Sequence, residues 1–304
     1  MKYLVIGAGG TGGCIGAYMA EAGKDVTLIA RGAHLKAMQE NGLRMETTQK
    51  GSYVINPIKA TDMEHYEEKP DVIFVCVKGY SLQETIPFIR KVAKPDTVVI
   101  PVLNIYGTGG RMQKELQELL VTDGCIYIVG LIKEPGCLLQ SGNLFRVVFG
   151  VRDEKEYRPV LAEVKKDLEE SGIECVLSDN IRKDAMRKFS YISPAAACGQ
   201  YYGVGAGEIQ KPGEIRDTFI ALIEEIMALS GAMGIAFEED MVKTNLAIID
   251  SFAPEVKTSM QRDMEAGKDS EVDGLVFEVA RMGRQYGVEV PLYCKITEAL
   301  GGKL

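Results

Sequence analysis

Three glycines near the N-terminus, Gly7, Gly9 and Gly12, have the spacing of a turn that can hold a phosphate. A strand-like apolar segment precedes them, a helix-forming segment follows, and a second strand is predicted over residues 25–30. In this setting the first glycine permits a tight turn, the second lets a pyrophosphate approach the backbone, and the third lets the helix pack against the strand. The helix N-terminus then offers N–H groups and a positive dipole end to the phosphates. The sequence therefore predicts a dinucleotide site.

The residue that closes the second predicted strand indicates which dinucleotide is bound. An acid at this position bonds the ribose 2′-hydroxyl of NAD, whereas an arginine accommodates the 2′-phosphate of NADP. This chain has Arg31 there, with His34 and Lys36 just beyond. A guanidinium matches phosphate oxygens in a bidentate manner. We therefore predict NADP(H) as the cofactor, against the alternative that Arg31 is an ordinary surface arginine.

A nicotinamide cofactor transfers a hydride. Hydride transfer to a carbonyl leaves an alkoxide, so the active site needs an acid held in position to protonate that oxygen. Both histidines, His34 and His65, lie in the first half, and neither follows a strand end suited to the nicotinamide. A lysine or tyrosine acid is therefore favoured. Lys78 and Asn104 each follow a predicted buried strand, and Lys188 lies in a mainly apolar helix. The alternatives are that the lysines extend to solvent and that Asn104 caps a turn.

Composition and charge bound the class of protein. The chain has 304 residues, 46% hydrophobic and 26% charged, which is typical of a soluble protein of two domains. A net charge of −8 argues against nucleic-acid binding, and no apolar run is long enough to span a membrane. The seven cysteines are scattered singly, and no histidine has a ligand-spaced neighbour. We expect a cytoplasmic protein with reduced thiols, no metal and no leader peptide.

Alternating strand and helix patterns predict an α/β fold, with an N-terminal Rossmann-type, doubly wound, mostly parallel sheet followed by an all-α C-terminal domain. Segment 125–150 is rich in β-branched residues, and we predict antiparallel strands there, added to the edge of the sheet. The other predicted elements of the first half are a helix over 33–40, a hairpin around 49–51, a strand over 72–77, a helix from 82, a strand over 98–103, helices over 110–120 and 157–170, and a strand over 174–177.

From residue 179 onward strand patterns nearly vanish, and helical patterns cover 181–198, 209–233, 237–252 and 269–286. We therefore expect a boundary near 170–180, with a dinucleotide-binding domain over 1–175 and a helical substrate and catalytic domain over 176–304. In such architectures the substrate lies between the domains, beyond the carboxyl ends of the strands. The long apolar helices pack either within one chain or across a homodimer, and periodicity does not separate these.

Several blocks of the sequence form one pattern: GAGGTGG (Gly7, Gly9, Gly10, Thr11 and Gly12), Arg31, VCVKGY with Lys78, VLNIYG with Asn104, the turns at Pro135-Gly136 and Ser141-Gly142, MRKF with Lys188, and TSMQRDMEAGKDSEVDG with Ser259 and Glu271. With these blocks the chain resembles the ketopantoate reductase (2-dehydropantoate reductase) family over nearly its whole length. The last block is the most specific, because a serine precedes methionine and an acid follows twelve positions later.

The resemblance implies a role for each matched residue. Lys188 would be the general acid, and Glu271 would orient the lysine or the substrate while its charge keeps Lys188 protonated. Ser259 would bond the substrate carboxylate, and Lys78 and Asn104 would line the site beside the nicotinamide and ribose. The simpler alternative makes Ser259 a helix N-cap and Glu271 a first-turn acid.

The chain departs from the family pattern at one position. The family has an asparagine four residues after the acid lysine, on the same helix face, and this chain has Ile192. In the family this asparagine helps to hold the polar end of ketopantoate, so the change affects substrate choice more than chemistry. Tyr191 lies near that face and is predicted to supply a hydroxyl instead.

We therefore expect NADPH-dependent reduction of 2-dehydropantoate to pantoate, with hydride passing from nicotinamide C4 to the 2-keto carbon. The partner is then a small 2-keto acid. A reductase of a different 2-keto acid is the main alternative, favoured by Ile192. A noncatalytic NADPH sensor on the same fold would bind the nucleotide without oxidising it. An opine-type dehydrogenase would need an amino acid as well, and its histidine chemistry suits this chain poorly.

Overall fold

Strands and helices alternate through the first half of the chain in the computed structural model, which describes residues 1–303. The elements of this half are β1 (Lys2–Ile6), α1 (Gly10–Glu21), β2 (Asp25–Ile29), α2 (Gly32–Asn41), β3 (Leu43–Thr47), β4 (Gly51–Ile55), β5 (Lys59–Thr61), β6 (Val72–Val75), α3 (Leu82–Val92), β7 (Val98–Pro101), α4 (Thr108–Glu115), β8 (Leu120–Val121), β9 (Asp123–Glu134), β10 (Cys137–Gly150), α5 (Val160–Glu170) and β11 (Glu174–Leu177). Short 3₁₀ turns occupy Gly79–Ser81 and Glu154–Glu156.

Six strands form a parallel sheet in the order β5-β2-β1-β6-β7-β8. The central strands β6 and β7 are buried at every residue, as expected for a parallel sheet covered on both faces. The chain runs from β1 to β2 on one side and later returns to β6 on the other. The strand order therefore reverses beside β1, which is where such sheets bind ligands. The predicted Rossmann-type fold class is confirmed.

The prediction that segment 125–150 extends the edge of this sheet is wrong. β9 and β10 do pair with each other in antiparallel fashion, but they belong to a second sheet of order β11-β10-β3-β4. β10 pairs in parallel with β3 and with β11, so the hairpin of β3 and β4 is drawn into the same layer. Local patterns do not show which sheet an antiparallel pair will join, because that choice depends on partners far away in sequence.

Helix α1 explains why a second sheet forms. Every residue from Gly12 to Met19 is buried, and a helix that is apolar on all sides must be covered on all sides. A Cβ on Gly16 would lie 2.2 Å from Leu28 of β2, and one on Gly13 would lie 2.5 Å from Leu138 of β10. The helix thus packs closely against both sheets.

The second half is helical, with no strand among residues 182–303. Its elements are α6 (Ile181–Tyr202), α7 (Ala206–Gln210), α8 (Glu214–Ala232), α9 (Met241–Asp250), α10 (Ser259–Glu265), a π-helix (Asp273–Phe277), α11 (Glu278–Tyr286) and α12 (Pro291–Ala299). Their core includes large, fully buried side chains, among them Phe189, Phe219 and Tyr293. Among the described residues, no helix is long and apolar enough to cross a membrane.

Two predicted helices end at different places in the structure. The helix predicted over 110–120 is α4, which ends at Glu115, and β8 follows at Leu120–Val121. The helix predicted over 209–233 is divided into α7 and α8, because Pro212 and Gly213 interrupt it. Gly213 has a φ of 134°, which a helical residue does not adopt.

The chain folds as two compact units. Unit 1 comprises Met1–Leu103 and Gly107–Ile181, and unit 2 comprises Asn104–Tyr106 and the chain from Arg182 onward. A tripeptide that follows β7 therefore groups with the helices.

Candidate active site

Two glycines of the N-terminal turn are required by the fold itself. Gly7 has a φ of 99°, which residues with a side chain rarely adopt, and its N–H donates to Ile29 O at 3.2 Å. A Cβ on Gly12 would lie 2.3 Å from Gly7 O and 2.7 Å from Cys76 Cβ. The tight turn and the close start of α1 therefore both depend on the missing side chains.

The fold itself does not require a glycine at position 9. Its backbone is extended, with φ −74° and ψ −165°, and a Cβ there would meet no protein atom within 4 Å. It is the N-cap of α1, whose N-terminus has no side-chain cap and no acid in its first turn, where Thr11 lies. Open space over an uncapped helix N-terminus fits a pyrophosphate, which accepts hydrogen bonds from backbone N–H groups. These residues therefore suit a dinucleotide.

The turn is supported from one side by a glycine that the sequence analysis did not select. A Cβ on Gly10 would lie 2.2 Å from Gly130 O, and one on Gly130 would lie 2.6 Å from Gly10 O. The start of α1 thus touches the backbone of β9 directly. An isolated glycine within an apolar strand, as in YIVGLI, often marks a close backbone approach and was the available signal.

His34 holds the same turn from another direction. Its Nε2 lies 3.0 Å from Ala8 O, and Gly136 N donates to its Nδ1 at 3.0 Å. This pair of bonds requires the neutral ring with hydrogen on Nε2. Burial lowers the pKa of His34 below its ordinary value, although the bond to Ala8 opposes this. The histidine thus links the glycine turn to the turn between β9 and β10.

Among the three basic positions after β2, Arg31 is the one whose side chain has no hydrogen-bond or ion-pair partner within residues 1–303. His34 is engaged as described, and Lys36 pairs with Glu40 at 3.8 Å on α2. Arg31 is exposed at the N-cap of α2, and within residues 1–303 no carboxylate pairs with it. An exposed guanidinium in this position suits a phosphate group.

In unit 2, Lys188 and Asn104 are brought together. Lys188 is half-buried on α6, and its Nζ donates to Asn104 Oδ1 at 2.7 Å. Asn104 lies in the tripeptide that follows β7, where Ile105 is buried and the Tyr106 ring lies 5.9 Å from the Phe189 ring. An amide oxygen only accepts hydrogen bonds, so it holds the lysine nitrogen as a donor. The sequence selected both residues but did not predict their pairing.

The block that contains Ser259 and Glu271 also folds within unit 2. Thr258 is the N-cap of α10 and forms a capping box with Gln261, so the alternative of Ser259 as N-cap is wrong. Ser259 is the first residue of the helix, and its hydroxyl is not used for capping. Glu271 is only 5% exposed, and its carbonyl accepts from Leu275 N at 2.9 Å, just before the π-helix.

The remaining predicted residues are all partly buried; they are Tyr191, Ile192 and Lys78. The Tyr191 ring stacks on Phe252 at 6.2 Å and meets Phe219 edge-on at 6.5 Å, and burial raises the pKa of its hydroxyl. Ile192 is half-buried and packs against the core of unit 2. Lys78 is half-buried in unit 1, where it precedes the 3₁₀ turn Gly79–Ser81.

A glycine turn that suits a dinucleotide, at the reversal point of a parallel sheet, is typical of a Rossmann-type oxidoreductase. Comparisons with known proteins identify the family. The family model for "Ketopantoate reductase PanE/ApbA" matches residues 3–154, and that for "Ketopantoate reductase PanE/ApbA C terminal" matches residues 180–303. The chain therefore belongs to the ketopantoate reductase family, and it is an NADP-dependent oxidoreductase that acts on CH–OH groups.

Individual relatives are distant but span most or nearly all of the chain. The uncharacterized oxidoreductase YkpB of Bacillus subtilis is 29% identical over 90% of this chain and 89% of its own length. A 2-dehydropantoate 2-reductase of Mesorhizobium japonicum is 26% identical over 93% of this chain and 92% of its own. The crystal structure of 2-dehydropantoate 2-reductase from Porphyromonas gingivalis is 27% identical, with a TM-score of 0.82 and 99% of both chains covered.

The open space over Gly9 leads to a prediction about nucleotide affinity. A Gly9→Ala methyl would clash with no protein atom, but it would occupy the space that the pyrophosphate needs. We expect the Kd for NADPH, measured by fluorescence titration, to rise about tenfold or more, which corresponds to about 1.4 kcal/mol. The thermal midpoint should not change. Gly231→Ala on α8, where a Cβ also meets nothing within 4 Å, is the control and should leave the Kd unchanged. An equal Kd for Gly9→Ala and wild type would contradict this assignment.

The bonds of His34 lead to a prediction about pH. Because its folded pKa lies below its unfolded value of about 6.5, the stability that His34 contributes is complete above pH 6.5 and is lost as pH falls through the folded pKa. His34→Ala should cost about 1–2 kcal/mol at pH 7.5 for the two lost bonds, and less near pH 5, by urea unfolding. Exposed His65, whose pKa is raised by Asp62, is the control. His65→Ala should have a small effect of opposite pH dependence, and a pH-independent cost of His34→Ala would refute the prediction.

Proposed function

We propose that this protein reduces 2-dehydropantoate to pantoate with NADPH and that Lys188 is the general acid. The observation that carries the proposal is the hydrogen bond of 2.7 Å from Lys188 Nζ to Asn104 Oδ1, in a chain matched to the family over both units. Bound NADPH supplies the hydride that reduces the 2-keto carbon. The protein must then deliver one proton to the resulting alkoxide oxygen.

Lys188 suits this task because its hydrogen bond to Asn104 restricts the position of its Nζ atom. An ammonium has three N–H donors, so the lysine can donate to a substrate while Asn104 Oδ1 accepts one of its hydrogens. The lysine side chain has a flexible stem of four methylene carbons. A fixed acceptor therefore limits the positions that its nitrogen can occupy. A group aimed before the reaction lowers the barrier more than a mobile one.

We propose supporting roles for Glu271 and Ser259. Glu271 is buried in the unit that carries Lys188, and a carboxylate there is suited to orient the lysine or the substrate. The Ser259 hydroxyl is not used to cap α10, so it remains for the substrate carboxylate. Lys78 and Tyr191 are proposed as further polar groups of the site, and Asn104 serves the lysine as well as the cofactor side.

A second candidate substrate is favoured by Ile192. Where the family pattern has an asparagine, this apolar side chain packs against the core of unit 2 and offers no hydrogen bond. A site that lacks a polar group gains little from the hydroxyl of ketopantoate, so a 2-keto acid with an apolar branched side chain would be preferred. The reaction and the proposed proton donor are the same in both cases.

A substrate panel tests both candidates. NADPH oxidation is followed by absorbance with ketopantoate, 2-ketoisovalerate, pyruvate and phenylglyoxylate, and kcat/KM values are compared. The highest value for ketopantoate supports the first candidate, and the highest for a keto acid without a hydroxyl supports the second. NADPH binding without oxidation of any 2-keto acid would leave the noncatalytic sensor and refute the proposal.

Substitution of Lys188 tests the acid. Lys188→Ala should lower kcat by about 10²-fold or more, because the proton then has to come from water, while the Kd for NADPH changes little. Lys211→Ala is the control, since Lys211 is exposed and pairs with Glu208 at 2.6 Å. If Lys188→Ala reduces substrate at the same rate as Lys211→Ala, then Lys188 is not the general acid.

The exposed guanidinium of Arg31 leads to a prediction about cofactor preference. Arg31→Ala should raise KM for NADPH about 10-fold to 100-fold, as expected for lost hydrogen bonds to a charged phosphate, and should leave KM for NADH unchanged. Lys36→Ala on the same helix, which loses only the pair with Glu40, should affect neither. A wild-type preference for NADH would contradict the assignment.

A further inference from the structure

Gly274 occupies an unusual place in unit 2. It lies within the π-helix Asp273–Phe277, which begins two residues after Glu271. Such π-helical turns are rare and are frequently found at functional sites. A Cβ on Gly274 would lie 2.3 Å from Ile105 Cδ1, 2.7 Å from Ile105 Cγ1 and 3.1 Å from Ile105 Cγ2. Its φ is not positive, so the contact with Ile105 is what requires the glycine.

Rotation of Ile105 relieves such a clash only in part. Two of the three staggered positions around its Cα–Cβ bond face Gly274, where Cγ1 and Cγ2 now lie. An isoleucine fills two of the three positions in every rotamer, so at least one heavy atom always remains there. Ile105 is also only 9% exposed, within the core of unit 2. In every rotamer an added methyl group at Gly274 therefore keeps a contact of 3.1 Å or less, and Ile105 or the π-helix must shift to relieve it.

The partner that carries Ile105 also carries Asn104. The tripeptide Asn104–Tyr106 rests on unit 2 through Ile105 against Gly274 and through the Tyr106 ring against Phe189. Phe189 is the neighbour of Lys188 on α6, and Asn104 accepts the Lys188 hydrogen bond. A shift of Ile105 is thus transmitted through one peptide bond to the acceptor of the lysine.

The π-helix itself is fixed relative to α6. Ser193 of α6 donates from Oγ to Leu275 O at 2.6 Å and lies 2.6 Å from Tyr293 Oη. The N–H groups of Leu292 and Tyr293 donate to the Glu225 carboxylate at 2.8 and 3.0 Å. The two contacts of Ser193 Oγ are made in the core, where Ser193 and Tyr293 are fully buried. The contact surface that Gly274 offers therefore has a set distance from the helix that bears Lys188.

We propose that Gly274 is a positioning residue of the reductase: by lacking a side chain, it lets Ile105 seat the tripeptide at the place where Asn104 aims the Lys188 ammonium. This inference rests on the proposed function of Lys188 as the acid. It assigns to Gly274 no contact with substrate or cofactor.

Gly274→Ala tests the inference through a separation of kinetic constants. We expect kcat to fall about tenfold to 10²-fold, since a misplacement of about 1 Å in a reacting group can cost that much. KM for the keto acid and Kd for NADPH should stay within about threefold of wild type. Ile105→Ala removes all three clashing atoms, so the double variant Gly274→Ala/Ile105→Ala should recover kcat to within about threefold of Ile105→Ala alone.

Gly283→Ala on α11 is the matched control. Its Cβ would lie 2.6 Å from Val290 Cγ2 and 2.9 Å from Val288 O, so it strains the same unit without touching the tripeptide. It should lower stability and leave kcat per folded molecule unchanged. An equal loss of kcat in Gly283→Ala, or no recovery in the double variant, would overturn the inference. If Gly274→Ala does not fold, the double variant must fold, and its failure would overturn the inference as well.

A second measurement does not need turnover. The ¹H–¹⁵N signals of the Asn104 carboxamide, assigned by their loss in Asn104→Asp, report its surroundings directly. They should shift in Gly274→Ala, return toward the Ile105→Ala positions in the double variant, and stay in place in Gly283→Ala. If no 2-keto acid is reduced by the wild type, the proposed function fails, and these signals still decide the role of Gly274. Unchanged signals in Gly274→Ala would refute it.

Discussion

The hydrogen bond between Lys188 Nζ and Asn104 Oδ1 is the constraint on which the candidate site depends. A lysine nitrogen on a long flexible stem delivers a proton efficiently only if something fixes its position. The acceptor is supplied by a tripeptide that follows β7 but packs with the helices, and the donor comes from the long helix α6. The two residues that follow Asn104 make further contacts, Ile105 with Gly274 and Tyr106 with Phe189. These contacts hold the tripeptide in place, so the direction of the hydrogen bond from Lys188 to Asn104 is defined.

In both units, glycines allow close contacts that a side chain would prevent. In unit 1, Gly10 and Gly130 let the start of α1 touch β9, and His34 ties the same turn to the end of the hairpin. Within this turn Gly9 has neither a strained backbone nor a close neighbour, so its missing side chain serves something other than the fold. A protein interior is packed too densely to accept an extra methyl group without movement. Glycines at such close approaches therefore set distances as firmly as hydrogen bonds do.

Family membership determines the chemistry more closely than the substrate. The nucleotide turn and the proposed acid Lys188 bear on the type of reaction, and one fold can host that reaction with different substrates. Substrate choice rests on a few side chains around the lysine, and a single change from a polar to an apolar group alters it. Ile192 is such a change, one helical turn after Lys188 and packed against the core of unit 2. We propose that this residue bears on the choice between the two candidate substrates and leaves the proposed proton donor unchanged.

The sequence by itself determined the alternation of the first half, the helical second half and the types of residue able to do the chemistry, because local spacing and periodicity carry that information. The predicted strand over 174–177 coincides with β11, Glu174–Leu177. Sheet membership of β9 and β10 was predicted wrongly, since it depends on pairing with β3 and β11 far along the chain. Asn104 lies 84 residues away from Lys188, and no local pattern identifies which residues Gly130 and Gly274 contact. Only the tertiary structure decided these, because packing joins residues by distance in space rather than by position in sequence.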